Sequence, residues 1–279
     1  MNYRHAYHAG NFADVMKHAT LVLALEHLKL KEKPFFFLDT HAGTGETDLS
    51  GIEAQKTGEY RDGIARILKH PAPHEALAPY LNALMALGCS GENPTRYPGS
   101  PLIATQLARA GDRLAACELH PEDAAELRAV FQHDRQMKVH ETDGYGALKA
   151  MLPPKERRGL VLIDPPYEGR DEFDRVEAAL HEAVKRWAGG TYMIWYPVKD
   201  PSVSGAFLDR LENNGPAKTM IAELYIRGSQ DPTRLSGSGL VIVNPPWTFP
   251  ETLTSLFNWL AEILAQGPGA RGRVEWLQK

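Results

Sequence analysis

Cysteine is scarce in this chain. Its 279 residues contain only Cys89 and Cys117, too few for a disulfide framework and without metal-site spacing. No run approaches the ~18 apolar residues of a membrane span. The opening Met1-Asn2-Tyr3-Arg4-His5 lacks the apolar stretch of a secretory signal. These absences give the expectation of a cytoplasmic protein away from any membrane. Positive charge is also in short supply, with 31 Lys and Arg against 35 Asp and Glu for a net charge of −4. Proteins that hold nucleic acid through many phosphates are usually basic. Any nucleic-acid contact here is therefore expected to be local and transient. His5 and His8 lie three apart in a non-helical stretch, and no Cys or acid cluster completes a site, so no metal is expected.

The chain is long enough for one α/β domain of about 200 residues plus an insertion. A helix is expected over 12–30, with Asn11 as N-cap and Asp14 as a capping-box-like acid, ending before Pro34. Phe35-Phe36-Phe37-Leu38-Asp39 then reads as a buried strand running into a glycine loop, the usual opening of a cofactor-binding sheet. Further strands are expected at 113–118, 138–142, 160–164, 192–196, 222–227 and 240–244, with helices between most of them. The pattern predicts an α/β fold with a mostly parallel, seven-stranded, Rossmann-like sheet and helices on both faces.

One spacing departs from the usual plan. The acid that grips a ribose normally follows the glycine loop by about 20 residues, yet Glu118 comes 79 residues after Asp39. The excess is assigned to a helical insertion at 51–98, leaving 1–50 and 99–279 as the sheet domain. Residues 1–11 are placed over the active site. Ser100 as N-cap and Pro101 at the first helical position would restart the helix that packs on the sheet.

Asp164-Pro165-Pro166-Tyr167 carries the strongest chemical signal. Two prolines cannot continue a sheet and fix a rigid turn at the strand's C-terminal edge, where open α/β sheets place ligands. A carboxylate beside exposed carbonyls can hold both hydrogens of an exocyclic amine and aim its nitrogen at an electrophilic methyl. Tyr167 offers a face for an extruded base. This reading gives an S-adenosyl-L-methionine-dependent methyltransferase acting on adenine N6, with Asp164, Pro165 and Tyr167 catalytic and S-adenosyl-L-homocysteine as product. Asn244-Pro245-Pro246-Trp247 is a near-duplicate. Chain order places it on a strand toward the far side of the sheet, so Asn244 is given a structural role, at most on the rim of the base pocket.

Around this motif, Lys17 and His18 are expected to donate to a cofactor carboxylate. Glu118 would accept from the ribose, and Asp143 from the cofactor's adenine amine, with Gly144 allowing close approach. Tyr3 and Arg4 suit stacking and phosphate contacts with a substrate nucleic acid. The glycine loop has His41 where methyltransferases commonly carry their first glycine, while Gly43 and Gly45 keep the others.

Several blocks together are more specific than any one motif. They are Tyr3-Arg4-His5, His8-Ala9-Gly10-Asn11, Lys17-His18, Leu38-Asp39-Thr40-His41-Ala42-Gly43, Thr57-Gly58-Glu59-Tyr60, Tyr97-Pro98-Gly99-Ser100-Pro101 and Trp195-Tyr196-Pro197, with both proline motifs. Over essentially the whole chain they resemble the RlmJ family of bacterial adenine-N6 methyltransferases of 23S, large-subunit, ribosomal RNA. The resemblance implies cofactor contacts at His18, His41, Ser100, Glu118, Asp143, Gly144 and Asp164, a catalytic Asp164, and Tyr3 near the RNA. No obligate protein partner is expected and the chain is taken as a monomer. A DNA adenine methyltransferase and a non-catalytic ribosome-assembly factor are the alternatives. Asp164→Ala is expected to leave the fold intact and lower labelled-methyl incorporation by at least about 10²-fold, the usual scale of acid–base assistance. Asn244→Ala should be far milder in the same assay.

Overall fold

The computed structural model describes residues 4–169, 171–229, 231 and 234–279. Its strands are β1 (Phe36–Asp39), β2 (Glu46–Asp48), β3 (Arg96–Pro98), β4 (Arg113–Glu118), β5 (Met137–Glu141), β6 (Gly159–Ile163), β7 (Thr191–Val198), β8 (Thr219–Tyr225), β9 (Gly237–Val243) and β10 (Arg271–Gln278). All but β2 and β3 join one sheet in the order β10-β8-β9-β7-β6-β1-β4-β5. β1 lies parallel between β4 and β6, and β5 and β7 extend the parallel block outward. β9 runs antiparallel to both β7 and β8, and β10 antiparallel to β8.

The central strands are apolar throughout because both of their faces are covered. Phe37, Leu114, Leu160 and Leu162 point into one core, and Phe36, Leu38, Val161 and Ile163 into the other, the period-two alternation of a pleated strand. The first core is closed by helices α1 (Phe12–Lys29), α4 (Ala78–Ala86), α5 (Ser100–Leu107), α6 (Pro121–Val130) and α10 (Phe249–Ile263). The second is closed by α7 (Gly144–Met151), α8 (Glu172–Arg186) and α9 (Pro201–Asn214). Among the described residues no helix is long and apolar enough to cross a membrane.

Three expectations are corrected. The sheet has eight strands, because β10 forms an edge strand beyond β8. Its alternation of charged and apolar residues, half exposed along its length, offers none of the apolar density that marks an interior strand. β9 is not near the far edge: it sits inside the sheet, next to β7, because the β8–β9 hairpin folds back into the gap. Since β9 is antiparallel, the chain leaves it at the opposite edge from β6. Asn244 there adopts φ +52° and donates from Nδ2 to the carbonyls of Ala188 (2.9 Å) and Gly190 (2.8 Å). It does not rim the cavity described below. Finally, Gly99 and not Ser100 is the N-cap of α5, and Ser100 is its first residue.

Asn11 caps α1 as expected, accepting from the amides of Ala13 and Asp14, an arrangement worth about 1 kcal/mol. Asp14 closes the turn differently from a capping box, accepting from the Gly10 amide at 2.9 Å. Between β1 and α5 the chain forms α2 (Ile52–Thr57), α3 (Ile64–Lys69) and α4, and β2 pairs with β3 across the two ends of this excursion. The N-terminal turn His5–Tyr7 rests on it. The Ile64 amide donates to the Gly10 carbonyl at 2.8 Å, and Thr57 Oγ1 donates to the Tyr7 carbonyl. A Cβ at Gly63 would lie 2.1 Å from the Gly10 oxygen. Gly63→Ala is therefore expected to cost about 1–3 kcal/mol in urea unfolding and to speed tryptic cleavage at Arg4.

Candidate active site

The C-terminal ends of the parallel strands open onto one cavity of about 830 Å³, within the usual range for small-molecule sites. Strand order reverses between β1 and β6, since the chain proceeds from β1 outward to β4 and β5 and then returns to β6 and β7. Ligands of open α/β sheets bind at such a reversal. Asp39 ends β1, and Asp164 follows β6, so two carboxylates flank the crevice.

On the β1–β5 side the cavity is lined with acceptors and close backbone. Asp39 is buried, and burial pushes its carboxyl up to about 7 although Ser100 Oγ donates to it at 2.6 Å. Glu118 receives the Gly43 amide at 2.9 Å and the His120 amide at 2.8 Å, which fixes both its oxygens at the cavity wall. Gly43 has φ +60°, so a side chain there would be strained. Asp143 caps α7 by accepting from the Gly146 amide at 2.8 Å. A Cβ at Gly144 would lie 2.1 Å from the Thr40 carbonyl oxygen. The close approach that Gly144 permits is thus first of all between α7 and the loop after β1. His41 accompanies them, its ring 5.3 Å from that of Tyr145, with its pKa pushed down to about 4 by burial against the opposing pull of Asp164 and Asp143.

At the crevice itself, α1 delivers Lys17. Its ammonium lies 2.5 Å from Asp164 Oδ2 and 2.9 Å from Asp14 Oδ1, with only 6% of the side chain exposed. Burial alone would lower its pKa, but the two carboxylates outweigh burial and raise it. Asp14 also takes His5 Nε2 at 3.1 Å. Burial would raise the Asp14 pKa, yet Lys17 and His5 hold it well below the carboxylate range. His18, one residue on, turns away: its Nδ1 lies 2.8 Å from the Tyr97 hydroxyl, itself 2.8 Å from that of Tyr80.

Beyond Asp164, Tyr167 adopts φ +48°, uncommon for a bulky residue. Its hydroxyl donates to the Trp195 carbonyl at 2.7 Å, and its ring packs 4.7 Å from Phe173 and 5.7 Å from Trp195. Those contacts hold an aromatic wall beside the carboxylate.

The RsmJ family model, described as "Ribosomal RNA large subunit methyltransferase D, RlmJ", matches residues 32–278. The chain belongs to the RlmJ family. Ribosomal RNA large subunit methyltransferase J of Haemophilus influenzae is 44% identical over 99% of both chains, and the protein of that name from Escherichia coli 41% identical over the same shares. A crystal structure of a Legionella pneumophila protein superposes with TM-score 0.88 at 34% identity, over 96% of this chain and 98% of that one. A probable spermidine synthase from Corynebacterium glutamicum shares the fold alone, with TM-score 0.52 at 11% identity over 95% of this chain and 75% of its own.

Within this RlmJ-family fold, Lys17, His18, His41, Ser100, Glu118, Asp143, Gly144, Asp164, Pro165 and Tyr167 all line the single cavity. Tyr3 lies outside the described residues. Arg4 is exposed, 3.8 Å from Glu122 on α6. Lys17 was expected to face a cofactor carboxylate, and two of its three donors engage the protein's own acids. Sequence reasoning assigned no site role to Asp14, His5 or Trp195. The helical spacing of Asp14 and Lys17 was available as a cue, whereas the contact of His5 with Asp14 depends on the N-terminal turn.

The environment of His18 has a consequence for pH. Burial pushes its pKa down to about 3, against about 6.5 in an unfolded chain. Stability is therefore full above pH ~6.5 and falls as the pH drops toward about 3, because the unfolded chain takes up the proton first. The expected loss is about 1.4 kcal/mol per pH unit, roughly 2 kcal/mol between pH ~6.5 and ~5. Urea midpoints measured over that range should show a visibly flatter fall in His18→Gln than in the wild type.

Proposed function

We propose that this chain transfers the methyl group of S-adenosyl-L-methionine to N6 of one adenine in 23S ribosomal RNA, releasing S-adenosyl-L-homocysteine. The observation that carries the reading is the position of Asp164. It stands at the strand-order reversal between a wall of acceptors and tight backbone on one side and the Tyr167–Trp195 wall on the other. Family membership supports methyl transfer to large-subunit ribosomal RNA.

The residues present suit the cofactor. Glu118 is fixed to accept from ribose hydroxyls and Asp143 from an adenine amine, with Gly43 and Gly144 keeping the wall close. Ser100, His41 and His18 line the crevice, and Lys17 has one donor left that would hold the cofactor's carboxylate. When bound, the cofactor supplies an electrophilic methyl on sulfonium.

The chain's own residues then do the following. Asp164 Oδ1 and the Pro165 carbonyl accept the two N6 hydrogens and turn the nitrogen lone pair toward the methyl. Lys17, itself anchored by Asp14, holds the other oxygen of Asp164, so the carboxylate does not rotate away. Tyr167 stacks on the extruded base and offsets part of the few kcal/mol that unstacking costs. Asp164 would also accept the proton that N6 loses on methylation. Within segment 1–11, His5, His8 and Asn11 border the cavity, and contacts with the RNA are assigned to Tyr3 and Arg4. Residues 51–98 form an inserted helical unit on the sheet domain, and the enzyme works in the cytoplasm as a monomer.

Mapping N6-methyladenine in 23S ribosomal RNA from cells with and without the gene tests the reading. One modified adenine should disappear on deletion and return with the wild-type protein, but not with Asp164→Ala. An unchanged map would overturn the assignment.

A further inference from the structure

The cavity is electrically lopsided. Acceptors at β1, β4 and β5 form one wall, and the rim opposite that wall carries Lys199 after β7, Arg227 after β8 and Arg234 before β9, with Glu59 and Asp62 on the segment facing Arg227. These three cations meet because β7, β8 and the start of β9 share the edge on which Asp164 opens. Lys199 and Arg234 are exposed, and Arg227 is half-buried.

Arg227 is incompletely satisfied. Its Nη2 donates to Gln266 Oε1 at 2.8 Å, but its Nε is buried without a hydrogen-bond partner. A buried unpaired donor costs about 1–3 kcal/mol, and more when charged. Burial and the neighbouring Arg234 both disfavour its charge, lowering its pKa. Asp231 on the same loop, and Glu59 and Asp62 on the facing segment, oppose them. Two of these acids have closer donors. Glu59 accepts from Asn11 Nδ2 at 2.9 Å and lies 3.1 Å from His8 Nδ1, and Asp62 accepts from Arg66 at 2.6 Å. The protein thus assembles like charges at the cavity mouth and, among the described residues, leaves the buried Nε of one guanidinium there without an acceptor. A guanidinium fork of this kind matches the oxygens of a phosphate.

We infer that Arg227 and Arg234, with Lys199, form a phosphate site that grips the RNA backbone beside the adenine held at Asp164. The inference rests on the RNA-methyltransferase reading and adds to it the place where the strand is held. From β6 to β8 the sheet spans three strand spacings, roughly 14 Å at ~4.8 Å each. A base, its ribose and a flanking phosphate, met by an arginine side chain, cover that span. Such a site carries no base information. It also answers how a chain of net charge −4 holds a polyanion, by concentrating the needed cations at one rim.

Steady-state methylation of a ribosomal RNA fragment tests this with Arg234→Gln, which is exposed and safe for folding, and with Arg227→Gln and Arg227→Lys. KM for RNA is expected to rise about tenfold in Arg234→Gln and Arg227→Gln, with less change in kcat. The slope of log KM against log salt should become shallower by about one per lost contact. Arg227→Lys should recover part of the loss, and cofactor affinity by calorimetry should stay unchanged. One methylphosphonate in the RNA should weaken the wild type and add nothing to Arg227→Gln. Wild-type KM and salt slope in both glutamine variants would overturn the phosphate site while leaving the enzyme's function standing. Absence of methyl transfer to RNA by the wild type would instead overturn the function beneath it.

Discussion

The ammonium of Lys17 joins the N-terminal region to a strand end 147 residues away. Through Asp14 it is tied to the N-terminal turn, and through Asp164 to the end of the central strand β6. Buried ions are expensive to desolvate, and such an assembly holds only when every member has its partner. Here the cation sits between two anions, and His5, its pKa raised by Asp14 against burial, closes the set on the other side. Removing one member would leave an unmatched charge in a wall that water reaches poorly. The orientation of the Asp164 carboxylate is thus inseparable from the path of residues 5–17.

That dependence explains why the N-terminal turn is anchored so thoroughly. Glu59 takes the side chains of His8 and Asn11, Thr57 takes the Tyr7 carbonyl, and Gly63 packs on Gly10. The excursion between β1 and α5 accordingly braces the first helix as well as bordering the cavity. It also meets the first helix through the Tyr80–Tyr97–His18 chain, while burial keeps His18 neutral beside the charged cluster. A positive charge at His18, next to Lys17, would compete for Asp14.

Much of this was legible in the sequence, for identifiable reasons. Phe36–Asp39 and Gly159–Ile163 are short apolar runs ending at acids, and Arg113–Glu118 was read to the residue. Asp164 and Glu118 followed from strand ends, which local pattern marks well. Ser100 was displaced by one position because a serine before a proline reads as a cap, yet its hydroxyl is taken by Asp39. β10 was not legible because an edge strand needs only half an apolar face. Arg227 and Arg234 had no local signal at all. Their significance lies in being buried or crowded together, which only the folded chain decides.

The two proline tetrads, Asp164 to Tyr167 and Asn244 to Trp247, raise a wider point about reading such words. They differ in two letters, yet one closes a strand that points toward the crevice and the other a strand that points away from it. A motif carries a vector as well as a spelling, inherited from the strand before it. The hairpin that reverses β9 sends its tetrad to the opposite edge of the sheet, where the same rigid turn becomes a clasp for the Ala188 and Gly190 carbonyls. The same letters written at the second site would therefore open on the wrong edge of the sheet, since what sets a motif's address is the direction in which the chain was travelling.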